Sequence, residues 1–116
     1  MRLDAQSGTV SWTKTFGTEY HEAGLGIAVD GMGAAYLAGV TSGQLWPLDG
    51  DLNDGTRFDA FVVKVMADDG EQIWETQLTL SSSHLTLNDL ACNPKNNRVY
   101  YTARVNSNYV YTSGLY

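Results

Sequence analysis

The chain has 116 residues, a formal net charge of −6, 43% hydrophobic and 17% charged residues, and 12 glycines against 2 prolines. That length fits one small globular unit, and the acidic balance argues against a phosphate-backbone partner, so no nucleic acid is expected. No window reaches the ~18 to 20 uninterrupted apolar residues of a membrane span, and the lone Cys92 excludes an intrachain disulfide.

Taken in chain order, alternation predicts strands almost throughout. After Met1 comes Arg2-Leu3-Asp4-Ala5-Gln6, in which no apolar run of a signal peptide is visible, an absence that carries little weight in a piece of a longer chain. In "TVSWTKTF", Val10, Trp12 and Phe16 share a face, so a strand is expected across Trp12 to Phe16. In "LGIAVD", Leu25, Ile27 and Val29 align, and "AAYLAG" is small and apolar on both faces, as in a crowded layer. "DAFVVKV" sets Phe61, Val63 and Val65 against Ala60, Val62 and Lys64, and "QIWETQLTL", "SHLTLNDLAC" and "RVYYTARV" follow. Ser7-Gly8, Asp30-Gly31, Asp69-Gly70 and Asn93-Pro94 supply the turns. No helical stripe exceeds two turns, so the fold class is all-β.

The chain also repeats itself. Laid with Gly8 over Gly70, "SGTVSWTKTF" falls on "DGEQIWETQL", and Trp12 meets Trp74. With one residue added in the turn, "IAVDGMGAAYLAG" falls on "LACNPKNNRVYYTA": Ala28 meets Ala91, Asp30 meets Asn93, and Tyr36 meets Tyr100. Repeated units of four short antiparallel strands are the pattern of propeller blades. The expected architecture is about one complete antiparallel β-propeller blade, residues 3–65 with a long loop at 42–58, and most of a second, divergent blade at 66–116. Two stacked sheets would leave two apolar faces bare. A fragment of a larger propeller is therefore expected, completed by further blades from flanking sequence or by self-association.

"WTKTFGTEYHEAGLGIAVDGMGAAYLAGVTSG" followed by "DAFVVKV" resembles the SBBP repeat family of β-propellers. The likeness covers Trp12 to Val65 and is weak from Glu71 to Val105. "LDAQSGTVSW" is also similar to the Gly-x-x-x-Trp element of quinoprotein-like propeller repeats. The SBBP resemblance implies a location outside the cell or at its surface.

Chemistry is sparse. The insertion "SGQLWPLDGDLNDGTRFD" sets oxygen ligands at Asp49, Asp51, Asn53, Asp54 and Asp59, with Asp49, Asp51 and Asn53 as a calcium candidate. Gly55 comes one residue late and Ala60 stands where the calcium loop wants a carboxylate, so a solvated acidic turn is the plainer reading. Trp46, beside Pro47, serves either as a stacking surface for sugars or as a plug for the loop. Ser81-Ser82-Ser83-His84 are sequence neighbours rather than triad partners, and His21 and His84 lack metal spacing. The expectation is a non-catalytic scaffold, not an enzyme, with a protein or glycan partner and no cofactor beyond a possible calcium ion. Two alternatives stand beside it: a fragment of a quinoprotein-like oxidoreductase propeller, and a calcium-stabilised carbohydrate-binding module.

Overall fold

The computed structural model describes residues 1–46, 55, 57–78, 84–105 and 108–115, with residues 105 and 108–115 described by their backbone. Nine strands appear among them: β1 (Arg2–Leu3), β2 (Val10–Trp12), β3 (Glu22–Val29), β4 (Ala34–Thr41), β5 (Asp59–Met66), β6 (Gln72–Leu78), β7 (Leu85–Asn93), β8 (Arg98–Val105) and β9 (Asn108–Leu115). No helix among the described residues is long and apolar enough to cross a membrane. The all-β expectation holds, and every pairing is antiparallel.

The strands form three sheets: the two-stranded hairpin β1-β2, the four-stranded meander β3-β4-β5-β6, and the three-stranded meander β7-β8-β9. One expectation needs correction. The strand placed across Trp12 to Phe16 ends at Trp12, and residues 13–16 have no ladder partner among the described residues. The sheets are also cut one strand out of phase with the sequence units. The Trp74 strand, which opens the later unit in sequence, hydrogen-bonds to β5 as the fourth strand of the first meander.

Turn chemistry closes the hairpins as the sequence suggests. The Asp30 carboxylate accepts the backbone N–H of Met32 at 2.8 Å and of Ala34 at 3.0 Å, and the Asn93 side chain accepts that of Lys95 at 3.0 Å. Gly8 and Gly70 end the equivalent turns before β2 and β6 at φ of 72° and 77°, a region glycine enters without steric cost.

Strands β4 and β5 are apolar on both sides because they are covered on both sides. On one face Ala34, Tyr36, Ala38, Val40, Ala60 and Val62 pack against Leu85, Leu87, Leu90, Val99, Tyr101 and Ala103 of β7 and β8. The small floor of alanines admits the three leucines of β7, and Trp74 packs against the same core. On the other face Ala35, Val63 and Val65, with Leu37 beside them on the same face, carry a smaller cluster roofed by Trp12, Phe16 and Trp46. That roof is partial: Leu25, Ile27 and Val29 stay exposed at 45%, 64% and 64%. One of the two expected bare apolar faces is therefore seen here, on the β3 side of the four-stranded sheet. Tyr100 aside, the exposed residues of β7 and β8 are Thr86, Asn88, Asp89, Ala91, Arg98 and Arg104, mostly polar.

The two largest hairpins repeat each other in register. In the first, Gly24 pairs with Gly39, Leu25 is skipped, and Gly26, Ile27 and Ala28 pair with Ala38, Leu37 and Tyr36. In the second, Leu87 pairs with Ala103, Asn88 is skipped, and Asp89, Leu90 and Ala91 pair with Thr102, Tyr101 and Tyr100. The bulge falls at the same step. The short hairpin does likewise: Arg2 faces Trp12 and Leu3 faces Val10, as Lys64 faces Trp74 and Val65 faces Gln72, with the same irregularity between them.

Candidate functional site

The long insertion leaves the four-stranded sheet from the end of β4 and re-enters at the start of β5, where Thr41 pairs with Asp59. A polar network clamps both stems. Asp59 is fully buried, and its carboxylate accepts a hydrogen bond from Gln77 Nε2 at 2.8 Å and faces Arg57 Nε at 3.4 Å. The same Gln77 amide donates to the Gly43 carbonyl at 2.9 Å, and its Oε1 accepts the Leu45 N–H at 3.0 Å. One side chain therefore ties the outgoing stem to the returning one. The register places it there, because Phe61 pairs with Gln77 two residues after Asp59.

Glu22, at the start of β3, extends the clamp. It accepts the Thr41 hydroxyl at 2.8 Å and the Thr18 backbone N–H at 3.1 Å, while Thr41 Oγ1 in turn accepts the Gly43 N–H at 3.0 Å. Burial pushes the Glu22 carboxyl up, but the hydrogen bonds from Thr18 and Thr41 outweigh it and hold the pKa below its ordinary value. Ser42 and His21 exchange backbone and hydroxyl bonds at 2.8 and 3.0 Å. Trp46 then wedges edge-on between Phe16 and Phe61, with centroids 6.0 and 6.1 Å away. Of its two readings this packing favours the plug.

Of the sequence-derived ligands, only Trp46 and Asp59 lie within the described residues. Asp49, Asp51, Asn53 and Asp54 lie outside them, and so does Pro47. Asp59 sits in the foot of the loop, committed to Gln77 and Arg57. No group of three His, Cys, Asp or Glu residues able to hold a metal occurs among the described residues. His21 and His84 are both exposed, and His84 Nδ1 accepts the Phe58 N–H at 3.2 Å. Sequence reasoning missed Gln77, because a glutamine in a strand carries no signal until register sets it beside a buried carboxylate.

A second cluster lies at the opposite end of the sheet. Tyr36, fully buried, donates its hydroxyl to Asp30 Oδ2 at 2.9 Å, and Lys64 Nζ lies 5.4 Å from the Tyr36 ring centre. Burial raises the Tyr36 pKa, and the bond to Asp30 adds to it. Burial likewise pushes the half-buried Cys92 thiol up, and the nearby Asp30 charge reinforces it, so the thiolate a nucleophile needs is disfavoured. For Asp30, burial works upward, yet the N–H groups of Ala34 and Met32 and the Tyr36 hydroxyl hold its pKa below the ordinary value. Both clusters hold strands and turns in place.

Beside the partial roof lies a cavity of about 230 Å³, lined by Trp12, Ile27, Val29, Ala35, Leu37 and Val65 among others. It is the floor of the bare apolar face. No family model matches the chain, and no curated protein matches it.

Proposed function

We propose that the chain is a non-catalytic segment of an SBBP-type repeat β-propeller, located outside the cell or at its surface. It serves as a scaffold whose clamped 42–58 loop presents a protein- or glycan-binding surface. The observation that carries this reading is the duplicated register of hairpins β3-β4 and β7-β8, bulge included. Modules that repeat backbone pairing to the residue suit radial or linear arrays, in which each sheet is finished by its neighbours. The loop fits the binding role because long loops on a rigid base carry function, and Gln77, Asp59 and Glu22 make that base rigid.

A glycan array probed with the wild-type chain and with a variant whose residues 47–56 are replaced by a Gly-Asn turn tests the loop. Binding that disappears with the loop while the melting temperature stays within a few degrees supports the assignment. Binding that survives the replacement moves the surface elsewhere, and silence of the wild type removes the glycan version.

A further inference from the structure

Ile27 and Leu90 stand at the same step of the repeated register, each beside the alanine that pairs with a tyrosine. Leu90 is 7% exposed because the four-stranded sheet covers it, whereas Ile27 is 64% exposed. Tyr36 and Tyr100 form the reciprocal pair. Tyr36 is buried against β7-β8, while Tyr100, on the face of β8 turned away from the core, is 39% exposed. Each sheet thus offers a tyrosine face forward and an aliphatic face backward, and the exposed Ile27 face and the outward Tyr100 face are the two halves of one contact.

The hydrogen-bond edges are complementary as well. The sheet β7-β8-β9 has three strands where its counterpart has four. The segment from Val10 to Phe16 repeats the fourth strand, with Trp12 in the position of Trp74, yet among the described residues its only ladder partner is the two-residue β1. Charge agrees. The exposed Arg98 marks the turn end of the tyrosine face, and the exposed Asp69, Glu71 and Asp68, the last facing Arg2 of β1 at 3.7 Å, mark the corresponding end of the aliphatic face.

Resting on the repeat-scaffold reading, we infer that the occupant of the Ile27 face is the three-stranded sheet of a second copy of this chain, bound head to tail. In that arrangement β9 of one copy takes the place of β1 and pairs with the Trp12 strand of the next. Ser113 then faces Trp12, because Ser113 pairs with Tyr100 as Lys64 pairs with Tyr36, and Lys64 faces Trp74. A heterologous contact of this kind closes into a ring when its rotation allows. Each copy supplies two sheets, so rings of two to four copies span the ~4 to 8 blades of closed propellers.

Light scattering after gel filtration, on the full chain and on Ile27→Glu and Tyr100→Glu, tests this. The wild type should run as one closed oligomer of two to four copies. Each variant alone should run as a monomer, its self-association weakened by about thirtyfold or more. Mixed in equal amounts, the two variants should form a one-to-one heterodimer, since each retains the face the other has lost. Thr13→Cys and Thr112→Cys chains, which the same register sets opposite each other, should form a disulfide-linked pair when mixed and oxidised. A monomeric wild type overturns the inference. So does a Tyr100→Glu chain that associates like wild type, which would mean that two Ile27 faces pair with each other. Growth without limit contradicts closure, and failure to cross-link contradicts the strand exchange. A monomer that still binds the glycan array through its loop overturns this inference and leaves the scaffold assignment standing.

Discussion

Ile27 and Leu90 occupy equivalent positions in two hairpins of identical register, yet one is 64% exposed and the other 7% exposed. The difference lies in the neighbours. Leu90 lies under a four-stranded sheet, and among the described residues the matching face around Ile27 has Trp12, Phe16 and Trp46 as a partial roof.

Trp12 is the main beam of that roof. Its indole N–H donates to the Ala67 carbonyl at 2.9 Å, and its ring packs on Val63 and Val65. Because Trp12 is half-buried, Trp12→Ala should cost about 2 to 3 kcal/mol, short of the full core value. Trp12→Phe, which keeps most of the packing and loses the hydrogen bond, should cost about 1 kcal/mol. Urea denaturation of both variants checks the order.

The strand content, turns and repeat were legible in the sequence because alternation and Asp/Asn-Gly chemistry act locally. The pairing of Asp30 with Met32 and Ala34 follows from the turn itself. Three things were not legible. Membership of the Trp74 strand in the earlier sheet depends on which edge is free, and sequence order does not record that. The early end of β2 at Trp12 goes with the lack, among the described residues, of a ladder partner for residues 13–16, since their alternation is intact. The clamp of Gln77 on Asp59 and Gly43 joins positions that only register brings together.

Gln77→Ala should release both stems of the loop. It leaves the buried Asp59 carboxylate and Gly43 carbonyl each short of a donor, a loss of about 2 to 4 kcal/mol. Amide exchange at Leu45, whose N–H bonds to Gln77, should accelerate more than exchange at Ala35 in the centre of the sheet. Equal acceleration at both would mean global destabilisation without a local clamp.

Gly70 should resist substitution. Its φ is 77°, and a Cβ there would lie 2.8 Å from the Trp12 ring, so Gly70→Ala should cost about 1 to 3 kcal/mol. Gly24 has nothing within 4 Å of a built Cβ and no left-handed φ, so Gly24→Ala should be neutral or stabilise by up to about 1 kcal/mol. Melting temperatures of the pair separate the two cases.

Stability should fall on both sides of neutrality. Glu22 and Asp30 have folded pKa values below their ordinary 4.5 and 3.8. Their contribution is therefore complete above those values and is lost as pH falls through the folded ones. Asp30→Asn should flatten the acid limb of a denaturation midpoint series between pH 2 and 6. Tyr36 shifts the other way: its folded pKa lies above 10.0, so its contribution is complete below 10.0 and is lost as pH rises toward the folded value. Tyr36→Phe should flatten the alkaline limb.

Cross-strand nuclear Overhauser effects on the isotopically labelled chain test the repeated register most directly. Contacts of Ala28 with Tyr36, Ala91 with Tyr100, Lys64 with Trp74 and Arg2 with Trp12 should appear together, with Leu25 and Asn88 skipped alike. A one-residue slip in either large hairpin, or a Trp74 strand paired with β7 in place of β5, would contradict the shared module.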